Sequence, residues 1–111
     1  MISCREVTGI QLIPDLIVTF HGNSAQLWSN SGECITSFAF TKPITASLFD
    51  AQYKNLVLFH DGEVNIISID RLDVYETYNG NLNIVSALYG VYDNMPIRFA
   101  LGADGLLYTY E

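Results

Sequence analysis

The sequence predicts an all-β chain. Short apolar runs rich in Val, Ile, Thr, Phe and Tyr recur along its whole length. Clusters of Gly, Asn, Asp and Ser separate them, and these residues tolerate the positive φ that tight hairpin turns need. No run keeps a 3.6-residue apolar period beyond about one turn, so no helix longer than that is expected.

The clearest stretch is Leu16 to Phe40, a three-stranded meander. Its apolar runs are Leu16 to Phe20, Ala25 to Trp28 and Cys34 to Phe40, and its turns are His21-Gly22-Asn23-Ser24 and Ser29-Asn30-Ser31-Gly32. Gly9 to Ile13 precedes it through the turn pair Pro14-Asp15, which makes a four-stranded unit. Ile2 to Val7 comes first, an orphan strand with no hairpin partner beside it. After Thr41-Lys42-Pro43 the pattern restarts with Ile44 to Leu48, Asn55 to Phe59, Glu63 to Ile69 and Asp73 to Tyr78. A third round follows Asn79-Gly80-Asn81: Ile84 to Tyr89 or as far as Tyr92, a turn over Asp93-Asn94-Met95-Pro96, Ile97 to Leu101, and Leu106 to Tyr110.

These rounds repeat one another. Aligning the tight turns puts Gly22-Asn23, Asp61-Gly62 and Asp104-Gly105 in one column and Trp28, Ile67 and Tyr110 in another. The period is roughly 40 residues, the length of a four-stranded propeller blade. The fold expected is therefore a partial β-propeller of about three four-stranded antiparallel blades. The chain is read as one domain, 1–111, with an orphan strand at 1–7, blades at 9–40 and 44–78, and an incomplete blade at 84–110. A self-contained β-sandwich or barrel is the alternative architecture for a chain of this length.

The segment GNSAQLWSNSGECITSF resembles the third and fourth strands of a WD40 blade: a tight turn, an alternating strand ending in Trp and a polar residue, a second turn and a final strand. Trp28-Ser29 stands where that family has Trp-Asp. Asp61-Gly62 and Asp104-Gly105 match the turn, Ile67 and Tyr110 replace the Trp, and the Gly-His pair that precedes each blade in the family is absent. The resemblance implies a propeller acting as a non-enzymatic scaffold for protein interactions.

Strand counting adds a second expectation. A propeller closes with four or more blades, and this chain supplies an orphan strand, then four, four and three. The orphan strand lies where the outermost strand of a preceding blade would lie. The third blade is thus expected to be completed by another chain, either a second copy or a different subunit, and the partner is expected to be a protein. The residues expected at that interface are Ile2, Cys4 and Glu6 on the orphan strand, Leu106, Tyr108 and Tyr110 on the last strand, and the loop tyrosines Tyr78 and Tyr92.

Composition narrows the function classes. Twelve acids against five bases give a net charge of −7, which opposes binding to phosphates and to anionic membrane surfaces. The start Met-Ile-Ser-Cys-Arg-Glu lacks the basic region and apolar core of a signal peptide, so an intracellular, cytoplasmic location is the default expectation. Cys4 and Cys34 show no metal-ligand spacing and are expected to be reduced and packed.

His21 and His60 share a column of the repeat, each after a Phe. They are expected to bond nearby groups at the strand tops and not to hold a metal. The carboxylates Asp15, Asp61, Asp70, Asp93 and Asp104 sit at turns, where Asp caps the following amides. No catalytic spacing or phosphate loop is present, so no enzyme, cofactor or metal is expected. The rival class is a carbohydrate-binding or hydrolytic propeller, which would gather Tyr and Asp residues into one pocket. Phe38, Phe40, Phe59 and Tyr108 are assigned to packing between blades, as is Trp28, while Tyr53, Tyr78, Tyr89 and Tyr92 lie near loops and suit interface anchoring.

Overall fold

The structure, a computed structural model, describes residues 7–79 and 83–109. Every regular element among them is a strand. Strands β1 (Gly9–Ile13), β2 (Leu16–His21), β3 (Ser24–Ser29) and β4 (Cys34–Ala39) form a sheet in the order β1-β2-β3-β4. Strands β5 (Ile44–Asp50), β6 (Asn55–His60), β7 (Glu63–Ser68) and β8 (Asp73–Asn79) form a second in the order β5-β6-β7-β8. Strands β9 (Ile84–Tyr92), β10 (Met95–Gly102) and β11 (Leu107–Thr109) form a three-stranded sheet with β10 in the middle. The paired strands run antiparallel. Two compact units divide the chain, Met1–Ile44 with the first sheet and Thr45–Glu111 with the other two.

Turn chemistry sets the registers. Gly22 (φ 64°) begins the two-residue loop between His21 and Ser24, the position where a II′ turn takes Gly. In the next sheet the positive φ falls on the second loop residue, Gly62 (φ 73°), so the aligned turns differ in their local path. Asp93 and Asn94 both have positive φ, 52° and 62°, as a I′ turn requires. That two-residue loop corrects the expected four-residue turn: Met95 already pairs with Tyr92 and Pro96 with Val91. Pro96 is tolerated because β11 pairs only with Phe99, Ala100 and Leu101, so no neighbour calls for its missing N–H on that side.

The orphan strand expected over Ile2 to Val7 lies outside the described residues except for Val7, which belongs to no strand. Tyr110 also lies outside them.

Alternation decides burial in the first unit. Ile13, Val18, Phe20, Ala25 and Leu27 are buried on one face, while the other carries exposed Ile10 and Leu12. Trp28 pairs with Ile17 on that second face and is only partly buried, which corrects the expectation of a buried indole. Its indole N–H donates to Thr19 Oγ1 at 2.9 Å, and Thr19 Oγ1 lies 2.9 Å from His21 Nε2. Thr19 thus joins Trp28 to His21 within one sheet. Cys34 is exposed, not packed, because it falls on the outward side of the edge strand β4.

The second sheet builds an analogous chain deeper inside. His60 is 1% exposed, its Nε2 accepts from Asn65 Nδ2 at 2.9 Å, and Asn65 Oδ1 accepts from Thr77 Oγ1 at 2.8 Å. Three adjacent strands are tied by side chains alone. The two histidines of the repeat column therefore perform one task with different partners.

These networks make a stability prediction. Asn65→Leu removes the bonds to His60 and Thr77 and should lower stability by about 1–3 kcal/mol, since buried polar groups lose their partners. Trp28→Phe keeps the ring but not the donor and should cost about 1 kcal/mol. Urea denaturation followed by circular dichroism checks both, and equal costs would contradict the difference in burial.

Candidate functional site

The second unit is organised around a buried ion pair. Asp50 ends β5 and Arg98 lies in the middle of β10, with side chains 8% and 7% exposed. Arg98 Nε donates to Asp50 Oδ2 at 2.8 Å and an Arg98 terminal nitrogen donates to Oδ1 at 3.0 Å, a bidentate pair. The same terminal nitrogen donates to Gln52 Oε1 at 2.6 Å. The guanidinium carbon also lies 5.4 Å from the ring centroids of Tyr53 and Tyr89. Asp50 Oδ1 accepts from the Gln52 and Tyr53 amides as well, so the loop after β5 is folded around the carboxylate. Hydrogen bonding to Asp50 holds the Arg98 proton more tightly than usual, against the opposing effect of burial.

Around this pair the second and third sheets share an apolar core of Leu48, Val57, Phe59, Ile84 and Ala100. Thr45 Oγ1 bridges it at one end, bonding Phe59 O at 3.1 Å and Ile84 O at 2.6 Å. Between the two sheets lies a groove of about 890 Å³. Val57, Phe59, Val64, Ile66, Glu76 and Tyr78 share one face of the second sheet and form one wall, with Glu63 at its edge. Arg98, Ala100 and Tyr108, on one face of the third sheet, form the other.

The opposite face of the third sheet is open. Leu88 pairs with Phe99 and Leu107 with Leu101 on that face, and Leu88 and Leu107 are 61% and 64% exposed. Tyr92 and Met95 continue the exposed apolar strip to the hairpin tip. Among the described residues β11 pairs with β10 alone.

The residues expected at an interface fall into three groups. Tyr78 and Tyr108 are brought together in the groove. Leu106 and Tyr92 are exposed but outside it, one just before β11 and the other at the β9–β10 tip. Ile2, Cys4, Glu6 and Tyr110 lie outside the described residues. Sequence reading missed Asp50, Arg98, Glu63 and Glu76. Arg98 did carry a signal, a cation between Ile97 and Phe99 in an apolar strand, but nothing local points to a partner 48 positions away.

The turn aspartates Asp15, Asp61, Asp70, Asp93 and Asp104 do not line the groove, whereas Asp50, Glu63 and Glu76 line it together with Tyr53, Tyr78 and Tyr108, Asp50 being taken up by Arg98. Among the described residues no group of three or more His, Cys, Asp or Glu is arranged to hold a metal.

Asp104 acts on its own turn. Its Oδ1 accepts from the Leu106 amide at 3.0 Å, and its Oδ2 accepts from the Tyr108 hydroxyl. The Tyr108 bond, then the Leu106 amide, hold the Asp104 carboxyl below its ordinary value of 3.8, and Asp104 holds the Tyr108 phenol above 10.0.

Two predictions follow from this geometry. Arg98→Met should cost about 3–5 kcal/mol because Asp50 is left buried with no cation, while Asp50→Leu combined with Arg98→Met should cost much less than the two single changes together. A double-mutant cycle by urea denaturation measures the coupling, and additivity would remove the pair from its central place. Asp104 should contribute stability above its ordinary value and lose that contribution as pH falls through its lowered one; the Tyr108 contribution is present below 10.0 and is lost as pH rises through the raised value. A Cβ at Gly102 would sit 2.5 Å from Asp104 Oδ1 and 2.9 Å from Tyr108 Cε2, so Gly102→Ala should return both titrations, followed by NMR, toward their ordinary values.

No protein-family model and no curated protein matches the sequence. Solved structures do match in shape. BBS1N in complex with ARL6DN superposes with a TM-score of 0.76 at 16% identity, covering 93% of this chain and 36% of that one, in the crystal soaked with mercury. The crystal soaked with lead gives 0.75 at 15% identity over the same shares. Saccharomyces cerevisiae Sqt1 gives 0.73 at 13% identity, covering 95% of this chain and 30% of that one. BBS1N is a β-propeller and Sqt1 a WD40 protein. The chain spans about a third of the length of the structures it matches. At these identities the likeness shows the fold: an all-β, antiparallel segment of a β-propeller.

Proposed function

We propose that this chain is a non-enzymatic protein-interaction module, a WD40-like propeller segment that becomes a complete ring with a second copy or with another subunit. The open face of the third sheet carries this reading. Its opposite face shows what such a surface does when covered, burying Ile84 and Ala100 against Leu48, Val57 and Phe59. Leu88, Leu101 and Leu107 offer a second surface of the same chemistry to water, and a contiguous apolar patch of that kind marks an interaction site or an aggregation hazard. Among the described residues no strand pairs the outer edge of β11, which leaves it to an added strand.

The two shapes compared support a protein partner, since BBS1N is seen in complex with ARL6DN. The net charge of −7 supports a partner other than nucleic acid. Among the described residues no helix is long and apolar enough to cross a membrane.

Native mass by light scattering tests the reading, alone and after mixing with a cell extract that supplies candidate subunits. The chain should run as a multimer or shift into a larger complex, and Leu88→Glu with Leu107→Glu should abolish that without changing the far-UV circular dichroism. Deleting residues 1 to 7 should also disrupt the assembly. A stable monomer in both settings, whose mass and melting temperature ignore the deletion, would overturn the reading in favour of a self-contained β domain.

A further inference from the structure

We propose that the outer edge of β4 pairs antiparallel with β4 of a second copy of this chain, about a twofold axis at Phe38. This contact is separate from the one that completes the ring.

The sequence leaves this edge unguarded. From Cys34 to Thr41 no residue is charged and no proline interrupts the run. The last strands of the other two sheets carry devices that discourage pairing: β8 has Asp73 and Glu76, and β11 is only three residues long. Among the described residues β4 pairs with β3 alone, and its Ile35, Ser37 and Ala39 are exposed. The chain that follows leaves the edge clear, because Phe40 N–H donates to Asn23 O and Ile44 N–H to Gly22 O, back at the β2–β3 turn. Residues 1–7 do not suffice to cover it. Thr8 bonds Phe20 O beside β1, and a strand added to β4 lies about 19 Å across the sheet from there. Seven residues span about 24 Å at full extension, too little to cross the sheet and run along β4 as well.

Backbone geometry fixes the register. Phe40 bonds Asn23, and in the same ladder Phe38 pairs with Ala25 and Thr36 with Leu27. Antiparallel alternation turns the amides and carbonyls of Thr36, Phe38 and Phe40 toward β3, and those of Ser37 and Ala39 outward. Ile35 is the extra residue at the register shift beside Trp28, and it ends the regular run. Two copies therefore meet with Ser37 of each opposite Ala39 of the other, which uses every outward group of both residues. Phe38 then stands against Phe38 as a close, non-hydrogen-bonded pair, the arrangement that brings aromatic rings into contact. The same register sets Glu33 of each copy at the end where the other has Lys42, whereas parallel pairing would set like beside like. The ladder is short and each copy carries a net charge of −7, so the dimer is weak, with a Kd of about 0.1 mM.

Sedimentation equilibrium from about 0.01 to 1 mM protein tests this on the chain carrying Leu88→Glu and Leu107→Glu, in which the ring contact is removed. Monomer and dimer should exchange near the stated Kd, and if the ring reading itself fails, the unaltered chain should show the same dimer. Ser37→Lys with Ala39→Lys should weaken it about tenfold or more, and so should Ser37→Glu with Ala39→Glu. Both pairs of changes lie at exposed positions and should leave the circular dichroism as it is. Mixing the two charged variants should restore the dimer. Ser37→Lys with Ala39→Glu in one chain sets Lys opposite Glu twice and should keep it. A monomer at every concentration would overturn the proposal, and so would a dimer indifferent to both like-charged variants. Loss of the dimer in the Lys–Glu chain would overturn the register about Phe38.

Discussion

The Asp50–Arg98 pair is the constraint on which the second unit depends. Two charges removed from water must be matched in full or the sheets do not close on them. The match here is complete: a bidentate contact, a third acceptor from Gln52, two flanking tyrosine rings and two backbone amides on the carboxylate. Apolar contact between Val57, Phe59, Ala100 and Ile84 would tolerate sliding by a residue. A guanidinium that meets its carboxylate at 2.8 Å does not, because a one-residue slip of β10 would turn Arg98 to the other face.

Fixing Arg98 fixes everything that alternates with it. Ala100 and Tyr108 take the same face, so Phe99, Leu101 and Leu107 take the other. The open apolar face and the groove are therefore two results of one register. Polar networks reinforce each sheet from within: Trp28 with Thr19 and His21, Thr77 with Asn65 and His60, Tyr108 with Asp104. Each joins strand to strand or strand to turn through side chains, and each sits close to a tight turn or one strand away from it.

The period of the sequence was a good guide to architecture because strands and turns are local chemistry. Asp93-Asn94 and Gly22 announce positive φ wherever they occur, and the strand boundaries followed to within a residue or two. Met95 and Pro96 were read as part of the turn, but Pro at a strand end with one neighbour interrupts no ladder. Trp28 was misplaced for a different reason. Its size suggested burial, but its register with Ile17 assigned it to the face that carries Leu12, and burial there depends on what lies opposite. The groove was half legible: Tyr78 stood out as an aromatic near a loop and Tyr108 was assigned to packing between blades and to the interface, whereas Glu63 and Glu76 look like any charged residue on a strand.

Charge bears on whether two copies of the chain pair with each other. A sheet edge with an apolar face beside it would recruit any strand, including its own kind, unless something opposes the wrong pairing. β11 is short, three residues, which limits the ladder it can offer to a chance partner. The net charge of −7 sets two copies against each other before contact, and of the five bases in the chain Arg98 and Arg71 are already committed to Asp50 and Asp73. Like charge opposes the approach of two copies, while the apolar face of the third sheet supplies affinity for whatever covers it.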